Sequence, residues 1–491
     1  MSDFPKITLN NTLSAKKEAF QPRTPGVGSL YGCGPTVYGF THVGNARTTL
    51  LFDLVTRVFE LAGYRTQLAR NITDIDDKII RLAAERSIPW NQVAQEFTDS
   101  FHAELLALET RKPAFEPKAT DAIPAMISII EGLIKKGMAY PAETPFGTDV
   151  YFSVRKFPGY GKLSKRKLED LEAGARVDVG EMKIDPLDFA LWKAAKEGEP
   201  SWTSPWGEGR PGWHIECSAM IRQIFPTGID VHMGAIDLIF PHHENEIAQS
   251  EGFCGGCLST YWVHGGFLTM SREKMSKSVG NIFTTQKFLE MYGPEVLRLM
   301  CLQHHYGSPM DFSVESIHLA EALLERLYSC KKQFSKIGGP SSPTTANFPG
   351  ATQVPAEITG LAQSMKEALF DDFNSAKALG FALRAARICF REDKAEFWAA
   401  FGESFEVFNR GMGLLGHEAS QALADIRKRK LSRYGVTEAR CSQIEERLAA
   451  RELARKNKDF AESDRLRAAL EAEGVLVMDG PDGTNWGMKS L

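Results

Sequence analysis

Cysteine is sparse in this sequence: eight stand among 491 residues, at positions 33, 217, 254, 257, 301, 330, 389 and 441, too few for a disulfide scaffold in so long a chain. They fit a reducing compartment, as free thiols or metal ligands. Long apolar runs are also missing. No segment approaches the roughly 18 consecutive apolar residues a membrane helix needs, and Met1 to Asn11 is polar, with no basic stretch leading into an apolar one. A cytoplasmic protein is the expectation. Neither sign of charge dominates, since 58 Lys and Arg face 62 Asp and Glu. No overall basic field exists, and contact with nucleic acid would need local patches. No internal repeat is visible, which argues against a solenoid.

What is present suits a conventional enzyme. Hydrophobic content of 43% and charged content of 24% exclude collagenous and disordered classes, and the length implies several domains. Leu30 to Cys33 reads as a short buried strand, Gly34-Pro35-Thr36 as a turn, and His42 to Leu61 as a helix with apolar residues at helical spacing. Tyr64 to Ile72 returns as a strand and Asp74 to Glu85 as a helix, the alternation of a parallel sheet flanked by helices. The expected fold is α/β: a Rossmann-type parallel-sheet catalytic domain, with first half 1–125 and second half 206–335, interrupted by an inserted subdomain at 126–205. A Gly-, Pro-, Ser- and Thr-rich linker at 336–356, a helical bundle at 357–437 and a small mixed module at 438–491 complete it.

Two strings carry phosphate chemistry. In His42-Val43-Gly44-Asn45, a glycine at a helix start would let triphosphate oxygens approach unpaired N–H groups, with His42 donating a hydrogen bond. In Lys274-Met275-Ser276-Lys277-Ser278, two ammonium groups and two hydroxyls crowd one loop, suited to charge developing on departing pyrophosphate. Alone, the first is a capped surface helix and the second a solvated basic loop. Together, in this order, they resemble the HIGH and KMSKS signatures of class I aminoacyl-tRNA synthetases. Val43 and Asn45 depart from the first signature, and asparagine donates hydrogen bonds but carries no charge.

Further strings narrow the resemblance. Asn71-Ile72-Thr73-Asp74-Ile75-Asp76-Asp77-Lys78, Gly174-Ala175-Arg176-Val177-Asp178, Gly212-Trp213-His214-Ile215-Glu216-Cys217-Ser218 and Phe240-Pro241-His242-His243-Glu244-Asn245-Glu246 are similar to the cysteinyl-tRNA synthetase family. The likeness extends through Ala454-Arg455-Lys456 to Trp486. It implies activation of L-cysteine by ATP with Mg²⁺ and transfer to tRNA(Cys) by a monomer. It implies one zinc on Cys33, Cys217, His242 and Glu246. Pro241 suits a helix's first turn, which would put His242 and Glu246 four apart on one face. The meeting of Cys33 with Cys217 is implied by the fold alone.

The resemblance also assigns His42, Lys274 and Lys277 to catalysis. ATP binding would fall to His42, Gly44, Asn45, Asp237, Lys274, Ser276, Lys277 and Ser278, and the cysteine pocket to Thr73, Trp213 and His232, each of which has core packing as its plainer account. Met233, Ala235 and Ile236 stand where the family usually has a glycine-rich stretch, and the bulk at Met233 and Ala235 would reshape the wall near the adenosine. Cys254-Gly255-Gly256-Cys257 reads as a surface turn with two free thiols. Arg447, Arg451, Arg455 and Lys458 recur at helical spacing as a basic stripe for RNA or a solvated face, and Trp486 stacks on a base or seals a small core. The rivals that stay open are a cysteine-to-amino-sugar ligase with the same adenylation chemistry and, from another class, a non-catalytic tRNA-binding relative or a simple nucleotidyl transferase.

Overall fold

The computed structural model describes residues 4–169, 182–270, 273–274, 283–338, 354–480 and 483–488. The string Gly174 to Asp178, residues 275–282 with Ser276, Lys277 and Ser278, the Lys274 side chain and most of the expected linker lie outside the described residues.

Four parallel strands form the central sheet in the order Ser259–Gly265, Ile229–Ala235, Val27–Gly32, Arg65–Arg70. Val27–Gly32 is buried at every position, as expected of a strand covered on both faces. The helix Val43–Leu61 lies against it, its Leu50, Leu54 and Val58 sharing one buried cluster with Leu30, Val231 and Val263. Met233 belongs to this cluster, fully buried, and so is part of the core and not of a ligand wall.

Between the two halves sits a five-stranded antiparallel sheet, ordered Ala139–Thr144, Gly147–Phe152, Phe189–Ala194, Gly207–Pro211, Trp202–Ser204. The helix Glu244–Cys254 starts three residues later than Pro241 suggests. Phe240 takes extended dihedrals of −139° and 131°, the conformation that a following proline imposes on its neighbour, and His242 and His243 occupy the wide turn Ile239–His243 ahead of the helix.

Beyond the sheet the chain is helical. Val314–Lys336 packs against Pro294–Leu302 and Ala419–Arg433, and Leu361–Phe370 against Ser375–Glu392. Asp53, buried in the middle of the Val43–Leu61 helix, binds Arg57 at 2.7 Å and Arg298, and accepts from Arg111 N at 2.6 Å. Burial pushes its pKa up, but the two guanidiniums outweigh that and hold it below the usual value. Arg57 also donates to the Asn409 carbonyl at 3.1 Å, which ties the helix to the helical region.

At the carboxyl end, the helices Glu438–Lys456 and Phe460–Ala472 and the hairpin Val475–Gly480 with Gly483–Met488 enclose a core of Leu431, Ile444, Leu448, Leu470, Val475, Val477 and Trp486.

Candidate active site

A cavity of about 240 Å³ opens at the carboxyl ends of the parallel strands, where open α/β sheets place ligands. Strand Val27–Gly32 delivers Cys33, strand Arg65–Arg70 delivers Asn71 and Thr73, and strand Ile229–Ala235 delivers Ala235 and Asp237. His42, Asn45, Trp213, Cys217 and His242 complete its functional lining.

The helix Val43–Leu61 is capped from within. His42 Nδ1 accepts from Gly44 N at 3.1 Å and Asn45 N at 3.3 Å, and Asn45 Oδ1 accepts from His42 N at 3.1 Å. Val43 N donates to the Phe283 carbonyl at 3.2 Å. The unpaired N–H groups expected here are therefore already paired. Two N–H groups facing Nδ1 make it the unprotonated ring nitrogen and leave the proton on Nε2 as the donor. Gly44 has a steric reason as well: a Cβ there would sit 2.9 Å from the His42 ring. The Asn45 carbonyl oxygen is committed to the cap, which leaves its amide nitrogen as donor. Lys274 pairs through its backbone with Thr269 in a short antiparallel strand.

At the other end, Cys33, Cys217, His242 and Glu246 bring one donor atom each within 4.8 Å of one another, all buried. The two Sγ atoms are 3.8 Å apart, Cys33 Sγ is 3.6 Å from Glu246 Oε1, and His242 Nε2 is 3.0 Å from the same oxygen. Residues 184 apart in sequence meet because Cys33 ends a strand and Cys217 lies on the helix Trp213–Ile224 beneath it. These atoms could hold a metal ion.

Electrostatics divides the donor atoms of this set. Burial pushes the Glu246 carboxyl up, yet His232 and His242 outweigh it and hold the pKa at about 2. Its ionised form in turn raises His242 to about 10 against burial. The facing thiols split: burial and Cys217 raise Cys33, and the Cys33 hydrogen bond lowers Cys217 to about 6.

His232 is fully buried and is absent from the cavity lining. Its Nε2 lies 2.9 Å from Glu246 Oε2, and its ring stacks on Trp262 at 4.4 Å. It backs the carboxylate. Trp213, 39% exposed, stacks on the His242 ring at 4.3 Å at the cavity wall, so it is no ordinary core tryptophan. Thr73 lines the cavity and accepts from Asn71 Nδ2 at 3.1 Å.

A relay unassigned by the sequence lies behind the cluster: His243 Nε2 is 3.3 Å from Cys33 Sγ, His243 Nδ1 is 2.8 Å from His264, and His264 is 2.8 Å from Thr12 Oγ1. The doubled histidine in Phe240-Pro241-His242-His243 was the available signal. An alternative donor set, Cys33, His232, His243 and Glu246, shares two members with the first. Cys254 and Cys257 are exposed free thiols donating to the Ser250 and Ser259 carbonyls, and neither joins a metal-ligand cluster among the described residues.

In the carboxyl-terminal module the basic stripe is largely spoken for. Arg451 is buried and binds Asp479 with both guanidinium nitrogens at 2.7 and 2.8 Å, Arg447 pairs with Glu473 at 2.8 Å and Arg455 with Asp479 at 3.1 Å. Trp486 is buried in the small core under the Arg427 guanidinium.

The parallel sheet, its carboxyl-end cavity and the histidine-capped helix are those of a class I aminoacyl-tRNA synthetase. A family model for the tRNA synthetases class I (C) catalytic domain matches residues 19–322. The fold agrees with Mycobacterium tuberculosis methionyl-tRNA synthetase in complex with methionyl-adenylate, at a TM-score of 0.60 and 16% identity, over 82% of this chain and 93% of that one.

A second model, the cysteinyl-tRNA ligase anticodon binding domain, matches residues 442–486. The Cysteine–tRNA ligase of Desulforudis audaxviator is 44% identical over 98% of this chain and 99% of its own. That of Geobacter sulfurreducens is 43% identical over 98% and 100%. The chain belongs to the cysteine–tRNA ligase family of class I synthetases. Among the described residues no helix is long and apolar enough to cross a membrane.

Proposed function

We propose that the chain activates L-cysteine with ATP, giving cysteinyl-adenylate and pyrophosphate, and transfers the cysteinyl group to the terminal ribose of tRNA(Cys). One observation carries this reading: three members of a buried Cys, Cys, His and Glu cluster, Cys33, Cys217 and His242, line the same cavity as His42 and Asn45 of the capped helix. The anticodon-domain match at 442–486 supports tRNA as acceptor over an amino sugar.

The donor set fits zinc. Tetrahedral coordination at about 2.3 Å for sulfur and 2.1 Å for oxygen implies edges of about 3.8 Å between sulfurs and about 3.6 Å from sulfur to oxygen. The corresponding separations are 3.8 Å and 3.6 Å, while His242 Nε2 stands 3.0 Å from Glu246 Oε1, a hydrogen-bonded pair closer than the tetrahedral edge of about 3.4 Å. Zinc held by Cys33, Cys217, His242 and Glu246 would supply a soft coordination position that favours a thiolate over the hydroxyl of serine.

The chain's own residues do the rest. His232 holds Glu246 ionised from behind, and Thr73 and Trp213 border the space for the amino acid. Asp237 serves the nucleotide, beside Ala235 in the cavity lining, with Gly44 and the Asn45 amide at the helix start. His42 Nε2–H donates toward the phosphates, and Lys274 and Lys277, with Ser276 and Ser278, oppose charge on the departing pyrophosphate, with Mg²⁺ accompanying ATP. The attacking carboxylate is already a nucleophile, so positioning and charge stabilisation replace a general base. Facing thiols fit a cytoplasmic site, and we expect a monomer, with residues 336–356 linking the catalytic domain to the helical bundle and 438–491 serving the RNA.

ATP–pyrophosphate exchange, followed by charging of total tRNA, tests the reading. Exchange should depend on cysteine and be negligible with serine. Equal exchange with serine, or none with cysteine, overturns it.

A further inference from the structure

Glu104 is a buried carboxyl away from the metal cluster and close to the phosphate end of the cavity. It comes from the helix Trp90–Ala107 and is 6% exposed. Oε2 accepts from the Thr41 hydroxyl, and Oε1 has no partner among the described residues. Burial pushes its pKa up to about 7, against the Thr41 hydrogen bond. An incompletely paired buried carboxyl is costly, so its position calls for a reason.

Thr41 provides one. It immediately precedes His42, lines the cavity, and its Oγ1 lies 2.8 Å from Thr285 Oγ1. Thr41 has a single hydroxyl proton and gives it to Glu104, so Thr285 is the donor between the two hydroxyls. The backbones are strapped at the same place: Thr285 N donates to the Thr41 carbonyl at 3.0 Å, Val43 N to the Phe283 carbonyl at 3.2 Å, and His42 pairs with Thr284 in an antiparallel bridge. Residues 283–285 are the first described after the lysine-rich segment and lead into the helix Thr285–Tyr292, capped by Thr284. One carboxyl thus holds the hydroxyl at the junction between the histidine-capped helix and residues 283–285.

We propose that Glu104 is a positioning residue for adenylation. By fixing the Thr41 hydroxyl, and through it Thr285, it holds the histidine-capped helix against residues 283–285, the described segment that follows the lysine-rich string in sequence. This rests on the reading that the capped helix and the lysine-rich string bind ATP.

The test is cysteine-dependent ATP–pyrophosphate exchange, with kcat and KM resolved for each substrate, in Glu104→Ala, Glu104→Gln, Thr285→Val and Thr285→Ser, together with thermal melting of each full chain. Glu104→Ala and Thr285→Val should each lower kcat by about 10- to 100-fold, the scale of a small misplacement of reacting groups, with KM for cysteine within about twofold of the parent. Glu104→Gln, which keeps an acceptor oxygen, and Thr285→Ser, which keeps the donor, should recover most of the rate. The double variant Glu104→Ala with Thr285→Val should be no worse than the poorer single one, as for groups acting as a unit. Unchanged kcat in folded Glu104→Ala, a loss confined to KM for cysteine, or a Thr285→Ser variant as slow as Thr285→Val overturns the proposal. Should Glu104→Ala fail to fold, the Thr285 pair decides by the same criteria. Absence of exchange in the parent would instead overturn the ATP reading itself.

Discussion

The two ends of this molecule use charge in opposite ways. Around Cys33 and Glu246 the ionisable groups Cys217, His232, His242 and His243 are buried and in contact with one another: Glu246 is held down by two histidines, His242 raised by Glu246. In the module after residue 438 the charges are many, mostly exposed and paired locally, as in Arg440 and Arg447 on Glu473 and Arg465 on Glu462. A desolvated charge has no water to replace a lost partner, whereas an exposed pair contributes little and is screened by salt. Single substitutions should therefore be decisive at the first end and graded at the second, except where the second has a core.

The largest effect is expected from Cys217→Ser, which exchanges a thiolate for a hydroxyl in the donor set. Metal content and cysteine-dependent exchange should both fall, by more than the roughly 100-fold typical of losing an outer partner of a metal ligand. Elemental analysis and exchange rates of the purified chain check this, and full metal retention would break the comparison.

Next comes Trp486→Ala. Removing the largest side chain of the seven-residue core should destabilise the module by about 3–5 kcal/mol, read as an early melting transition, with tRNA charging impaired and pyrophosphate exchange spared. Equal loss of both activities would show the two ends to be energetically one.

His232→Ala should weaken metal retention by about 10- to 100-fold, the effect of an outer partner, measured by competition with a chelator. A loss as severe as that of Cys217→Ser would make His232 a ligand and favour the alternative set with His243.

The smallest effect concerns acid. The Arg451 hydrogen bonds hold Asp479 below its usual pKa, so this pair's stabilisation is present above the unfolded value of about 4 and is lost as pH falls below it. Asp479→Asn should flatten the module's melting temperature between pH 5 and pH 3, and parallel profiles in parent and variant would remove the pair from the account.

How much of this was legible varies residue by residue. Val43–Leu61 and the strands on either side of it follow from local apolar spacing, and the structure alters their ends by one to three residues, most at the start of Val27–Gly32. The His242 and Glu246 pair follows from a four-residue interval, although a turn rather than a helix presents the histidine. His232 was legible as a residue of interest but not as the partner of Glu246, because strand Ile229–Ala235 brings it there from outside the local pattern. Arg451 looks like a free cation in its own helix, since Asp479 is 28 residues on.

The sequence by itself determined the periodicities, the lysine-rich string, the glycine before Asn45 and the residue types able to hold a soft metal, since these depend on neighbours within a turn or two of chain. Only the tertiary structure decided that Cys33 meets Cys217 across 184 residues, that Gly44 makes room for the capping ring of His42, and that Glu104 reaches Thr41. Those contacts depend on how the strands order and the helices pack, and burial then fixes which groups are charged.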